Sequence, residues 1–169
     1  MAMMFKGYGS LLYVATLAVA GLGSAQAEEL TSLQGTWVMV SAYEIRADGT
    51  RTTNYGEHPA GSFMVDASGH YSLQVFKLGR PAFASGDRAT GTAEEYRAAL
   101  MGISTHMGKV SIDQAHHQLI FEVQAASFPN WEGQRQVRDY SFKDGVLTYA
   151  VPAYGGGTVA YSVWRRAAP

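Results

Sequence analysis

The chain contains no cysteine. That excludes disulfides, thiolate metal sites, iron–sulfur clusters, cysteine nucleophiles and an acylated lipoprotein anchor. Charge is sparse too. Only 16% of the 169 residues are Asp, Glu, Lys or Arg, and 13 basic side chains meet 14 acidic ones for a net charge of −1. This balance excludes a nucleic-acid surface built on bulk positive charge. An aromatic content of 12% argues against a disordered acidic chain. No apolar run reaches the roughly 20 residues of a spanning helix. Sequence motifs for hydrolysis and phosphate binding are also missing. There is no Gly-x-Ser-x-Gly elbow and no His-Glu-x-x-His, and Gly155-Gly156-Gly157 lacks a following Lys-Ser/Thr.

What is present begins with an address. Lys6 supplies a short positive region, Leu11 to Leu22 is uncharged and apolar, and Ala25-Gln26-Ala27 has the small-x-small pattern of a cleavage site. This is the grammar of a secretory signal peptide. Residues 1–27 are therefore expected to be removed, leaving one domain over 28–169. The expected location is periplasmic or secreted, with no stable membrane anchor. Lacking disulfides, the domain must draw its stability from its core.

The remainder reads as strands. Trp37 to Tyr43, Ser62 to Val65, Tyr71 to Phe76, His106 to Ile112, Gln118 to Gln124, Gln134 to Phe142, Val146 to Val151 and Thr158 to Arg165 are rich in β-branched and aromatic residues. Turn residues separate them, including Asp48-Gly49, Ser68-Gly69 and Lys143-Asp144-Gly145. One helix is expected from about Thr92 to Met101, with Thr92 and Glu95 as a capping box, Tyr96, Ala99 and Leu100 on a packed face, and Gly102 as its stop. Eight strands with short connections predict an all-β fold: an eight-stranded antiparallel up-and-down barrel with one short side helix, preceded by a cleaved signal peptide.

Alternation assigns faces. In the strand from Gln134, one face carries Gln136, Arg138, Tyr140 and Phe142, and its aromatics point it inward. Arg138 inside a barrel must be paired within a plug or must face a cavity that holds ligand; both readings stay open. In the first strand Trp37, Met39, Ser41 and Tyr43 share a face. In the third, Tyr71, Leu73 and Val75 oppose Ser72, Gln74 and Phe76, and the pattern does not say which set is inner. His106 groups with Val110 and Ile112. The candidate ligand-binding set is thus Tyr43, Tyr71, Gln74, His106, Gln136, Arg138 and Tyr140, placing a few polar groups on apolar walls. An ordinary barrel core has the same pattern.

The ordered pieces Leu33-Gln34-Gly35-Thr36-Trp37, Tyr55-Gly56 with Pro59 and Gly61, Gly69-His70-Tyr71-Ser72, Arg80-Pro81, Phe128-Pro129-Asn130-Trp131 with Gly133, Gln136 and Arg138, and Val163-Trp164 resemble the bacterial lipocalin-like domain family. The resemblance implies a calycin-type barrel and a small hydrophobic ligand. It also implies a closed-end plug in which an arginine beside Trp164 packs over Trp37, with Arg165 as the first candidate and Arg166 as the second. No single chemistry comes with it.

The expected function is an exported protein that binds a small hydrophobic molecule with a polar or acidic head. The alternative is a cofactor-independent acid–base enzyme of isomerase or cyclase type using the same cavity, with His106, Glu122, Arg138 and Tyr140 as its candidates. Glu122, between Phe121 and Val123, is expected to face solvent. No catalytic residue, cofactor or metal site is assigned. His116 and His117 are adjacent and would point apart in a strand, and a His106–His116 pair would still lack a third ligand.

Overall fold

Period-two alternation of apolar and polar residues makes each strand two-faced. In the strand from His70, Tyr71, Leu73 and Val75 are buried while Ser72, Gln74 and Phe76 are less so. That settles the face left open by the sequence. The computed structural model describes Leu30, residues 32–154 and residues 156–168. The expected signal peptide, the Glu28 start, Gly155 and Pro169 lie outside the described residues.

The elements in order are β1 (Gly35–Ile45), β2 (Arg51–Thr52), β3 (Ala60–Val65), β4 (His70–Phe76), α1 (Ala93–Met101), β5 (Ile103–Asp113), β6 (Gln118–Ala126), β7 (Arg135–Lys143), β8 (Val146–Tyr154) and β9 (Thr158–Arg166). A single 3-10 turn, Pro129–Trp131, joins β6 to β7. β1 and β3 to β9 pair antiparallel with their chain neighbours, and β9 returns to β1 along most of its length. The result is a closed eight-stranded antiparallel barrel with the helix α1 between β4 and β5; Leu30, Ser32 and Leu33, before β1, are also helical. The two-residue β2, which the sequence reading did not separate, adds to the far end of β1. The hairpin between β7 and β8 turns through Asp144 and Gly145 with φ of 53° and 76°, the paired left-handed conformation that suits a two-residue turn.

The barrel has unlike ends. At one, Trp37 and Trp164 are fully buried with Phe63, Leu119 and Leu147. The indole of Trp37 donates to the Leu33 carbonyl at 2.8 Å. The guanidinium of Arg166, not Arg165, lies 4.4 Å over the Trp37 ring and donates to the carbonyls of Gln34 and Ser32. Register explains the choice, because Arg166 is the residue paired with Trp37 and lies two residues beyond inward Trp164, whereas Arg165 pairs with Val38 on the other face. Gly35 has φ of +109°, and a Cβ there would stand 3.0 Å from the Arg166 guanidinium. The positive φ favours glycine at the head of the Gly-x-Trp segment, and a side chain there would also have to displace the tip of Arg166. Phe142, expected inside, is 52% exposed at this end and meets Trp37 edge-on at 5.9 Å. β7 has there reached the barrel rim, so the inward face no longer has an interior to enter.

A bulge alters the first strand. The β1–β9 register shifts between Met39 and Ser41, so Val40 is an extra residue. Before it, Trp37 points inward; after it, Ala42 is the buried residue and pairs with Ser162. One inserted residue moves every later side chain to the opposite face. Ser41 and Tyr43 therefore face outward and Glu44 inward, the reverse of the uninterrupted alternation.

The helix forms as its sequence predicts. Thr92 accepts from the Glu95 amide, and the Glu95 carboxylate accepts from the Thr92 amide in a capping box ended by Gly102. Its burial differs from expectation. None of its residues is buried, and Leu100 and Met101 are exposed at the open end of the barrel. Tyr96 packs instead on Phe83, and its hydroxyl donates to the Arg88 carbonyl at 2.8 Å.

Candidate functional site

The end opposite Trp37 opens into a cavity of about 910 Å³, inside the range of small-molecule sites. Its walls are largely apolar, with Leu73, Val75, Tyr149 and Val151 among them. Leu100 and Met101 of α1, with Phe128 and Trp131, edge the mouth. No helix among the described residues is long and apolar enough to cross a membrane.

The polar groups meet at the floor. β4 supplies Tyr71, β5 His106, and β7 Gln136 and Arg138, each from the inward face. The Tyr71 hydroxyl and His106 Nδ1 are 2.7 Å apart. His106 Nε2 is 3.4 Å from Arg138 Nη2, which donates to Gln136 Oε1 at 2.6 Å. The guanidinium carbon sits 4.4 Å over Phe121 and 5.1 Å over Tyr149. Arg138 is only 4% exposed. Among the described residues no carboxylate lies within ion-pair distance of it, and its Nε has no hydrogen-bond partner there. The paired-plug reading of Arg138 finds no partner among them.

Hydrogen-bond accounting is lopsided. Guanidinium only donates. With the imidazole proton on Nδ1, the Tyr71 oxygen accepts it and the buried phenol proton has no second partner among the described residues. With the proton on Nε2, Tyr71 donates to Nδ1 and two N–H groups converge 3.4 Å apart. In either arrangement donors outnumber acceptors, so the floor has room for an acceptor from outside. Burial, and then the Arg138 charge, push the His106 pKa down to about 3; the ring is neutral. Burial raises the Tyr71 pKa, the Arg138 charge opposing and Tyr149 adding to the rise.

Of the other residues singled out from sequence, Tyr43 borders the mouth, but the bulge turns it to the outer face, where it stacks on Tyr161 at 5.0 Å beneath Arg51. Gln74 lies on the outer face of β4 and bonds Ser72 there. Tyr140 points inward below the cavity, packed against the core and edge-on to His117, and does not line the cavity. Glu122 is exposed on the outside of β6. His116 sits in the turn after β5 with Asp113 at 2.9 Å, far along the strand from His106. Sequence reasoning missed Glu44, Tyr55, Ser104, Tyr149 and Ser162, which also line the cavity. Tyr149 and Ser104 were within reach of alternation, since Tyr149 lies two residues from Leu147 and Ser104 two from His106. Glu44 was hidden by the bulge.

Fold and cavity together define a class: a closed antiparallel barrel, plugged at one end and open at the other into an apolar pocket with a cationic floor. The chain belongs to the lipocalin-like domain family, whose profile matches residues 34–167. Among solved structures it is similar to a lipocalin-like protein from Bacteroides uniformis, at 15% identity and a TM-score of 0.41 over 80% of this chain and 99% of that one. Two mutants of the fluorescent protein UnaG are also similar, each at 15% identity, with TM-scores of 0.38 and 0.36 over 83% and 82% of this chain and 99% and 98% of theirs. Comparison with curated proteins finds no match.

Proposed function

We propose that the protein binds a small apolar molecule through an acidic head, seating its carboxylate against Arg138 at the floor of the barrel with Gln136 and His106 beside it. One observation carries the reading: a buried guanidinium with no carboxylate partner among the described residues, at the base of an apolar cavity. Such a charge is costly to desolvate. A planar carboxylate offsets that cost with paired, charge-assisted hydrogen bonds. The acid–base candidates named from the sequence are poorly placed for proton transfer, and Tyr140 does not line the cavity. His106 is held neutral to about pH 3, the Tyr71 proton is held more tightly than usual, and Glu122 is outside. The membership in the lipocalin-like family supports a binding role in general terms.

The test uses decanoate as probe and Arg138→Met, which keeps the stem's bulk and removes the charge. Titration calorimetry at pH 7.5 should give an affinity loss of about 1.5–3 kcal/mol, the worth of a hydrogen bond to a charged group. Equal affinity in a folded variant would remove Arg138 from the site.

We also propose export, with the mature protein beginning at Glu28 in the periplasm or medium. The support is the positive, apolar and small-x-small order of residues 1–27. Intact mass of the natively expressed protein should correspond to residues 28–169; retention of the leader would contradict it.

A further inference from the structure

Side-chain size falls sharply along β9. Trp164, Ser162 and Ala160 share its inward face, so an indole is followed by a hydroxymethyl and then a methyl. The adjoining strand β1 repeats the step. Met39 pairs with Trp164 and, past the bulge, Ala42 pairs with Ser162. The wall across β9 and β1 is therefore thick at the closed end and thin directly above it, where Ala42, Ser162 and Ala160 border the cavity. Further round the barrel, β4 and β5 line the same space with the larger Leu73, Val75 and His106. The thin stretch is a recess that widens the cavity to one side.

The recess lies beside the buried cation. The Arg138 guanidinium stands 5.1 Å over the Tyr149 ring, and Tyr149 is the β8 residue in register with Ser162, one strand spacing of about 4.8 Å away. Arg138 is almost fully buried, and its Nε has no hydrogen-bond partner among the described residues. An acid held there has the rest of its molecule next to the recess. A single alkyl chain does not match this shape. At about 30 Å³ per heavy atom, one water's share of the liquid, the dozen or so heavy atoms of decanoate take up about 360 Å³, well under half of the 910 Å³ cavity. An apolar wall left uncovered forfeits its dispersion contacts. A longer chain covers it only by folding back on itself, and each bond it freezes costs conformational entropy; a rigid framework enters without that cost.

Building on the carboxylate reading above, we infer that the ligand class is fused-ring carboxylic acids, with the acid group on or next to the ring system, the carboxylate on Arg138 and the rings in the recess over Ala42, Ser162 and Ala160.

The experiment compares three acids on the full protein by calorimetry at pH 7.5: decanoate, dehydroabietate, a rigid tricyclic acid with its carboxyl on a ring carbon, and oleate, a flexible chain of similar atom count. Dehydroabietate should bind at least about tenfold more tightly than decanoate, as the extra apolar surface is buried, and more tightly than oleate. Ala160→Leu and Ser162→Leu fill the recess. In variants shown by cooperative urea unfolding to be folded, each should bring the ratio of dehydroabietate to decanoate affinity down to about one or below. Arg138→Met should weaken all three acids. Dehydroabietate binding no better than decanoate or oleate to the unaltered protein overturns the fused-ring inference, as does an advantage that survives both leucine substitutions. Either result leaves the carboxylate reading standing if Arg138→Met still weakens decanoate. Decanoate binding that is insensitive to Arg138→Met overturns both.

Discussion

Arg138 shows how one residue can define a site by what it lacks. It stacks on Phe121 and Tyr149 and holds Gln136, yet no carboxylate among the described residues neutralises it. Removing half of a buried ion pair strands its partner and costs about 3–5 kcal/mol; the described residues hold no such partner. Arg138→Met is therefore expected to keep the melting temperature or raise it, and a fall in stability of that size would mean a hidden partner. His106 gives a pH signature. Its pKa is about 3 when folded and 6.5 as the ordinary value. Between those values the unfolded chain holds the extra proton, so stability rises with pH across the window and is lost as pH falls through it. The slope from this group approaches about 1.4 kcal/mol per pH unit. In urea unfolding between pH 4.5 and 6.5, His106→Asn should flatten the dependence, and an unchanged slope would mean that the ring is not buried neutral. Arg138 and Gln136 were legible because β7 alternates without interruption up to the rim. Tyr43 was misplaced and Glu44 overlooked because no residue type announces the Val40 bulge; it arises from the pairing of β1 with β9.

At the scale of elements, local chemistry was the most readable. The capping box of α1 lies within four residues and forms as written. The burial of α1 was not readable, because the helix sits at the mouth, where an amphipathic pattern lines an opening instead of packing on a core. Alternation was ambiguous in β4 for a different reason: the faces Tyr71-Leu73-Val75 and Ser72-Gln74-Phe76 both carry large residues, so only the packed barrel distinguishes them. The closed end rests on a combination of strands, with Gly35 on β1 and Arg166 on β9. Gly35→Ala must place a Cβ at φ +109° against the Arg166 guanidinium. It should destabilise the barrel by about 1–3 kcal/mol in urea unfolding, and a neutral result would show that alanine is not strained at this backbone conformation.

The whole molecule is a barrel closed by β1–β9 pairing, with its heaviest packing at one end and its opening at the other. Its three tryptophans divide accordingly. Trp37 and Trp164 belong to the closed end, while Trp131 lines the mouth and lies edge-on to His106 at 6.0 Å. Ligand entry should change the fluorescence of Trp131 alone, so Trp131→Phe should abolish the ligand-dependent signal while the protein stays folded; a signal that persists would place the ligand elsewhere. The barrel was legible because turn residues punctuate its strands at regular intervals. The cavity was not, since the same alternation describes a filled core, and only the distances across the barrel show the space left open above His106 and Arg138. The most direct measurement of the central claim is a comparison of decanoate with decanol, equal in chain and different in head, by calorimetry at pH 7.5. Binding through Arg138 predicts that the acid is favoured by about tenfold or more. Decanol binding as tightly as decanoate would contradict it.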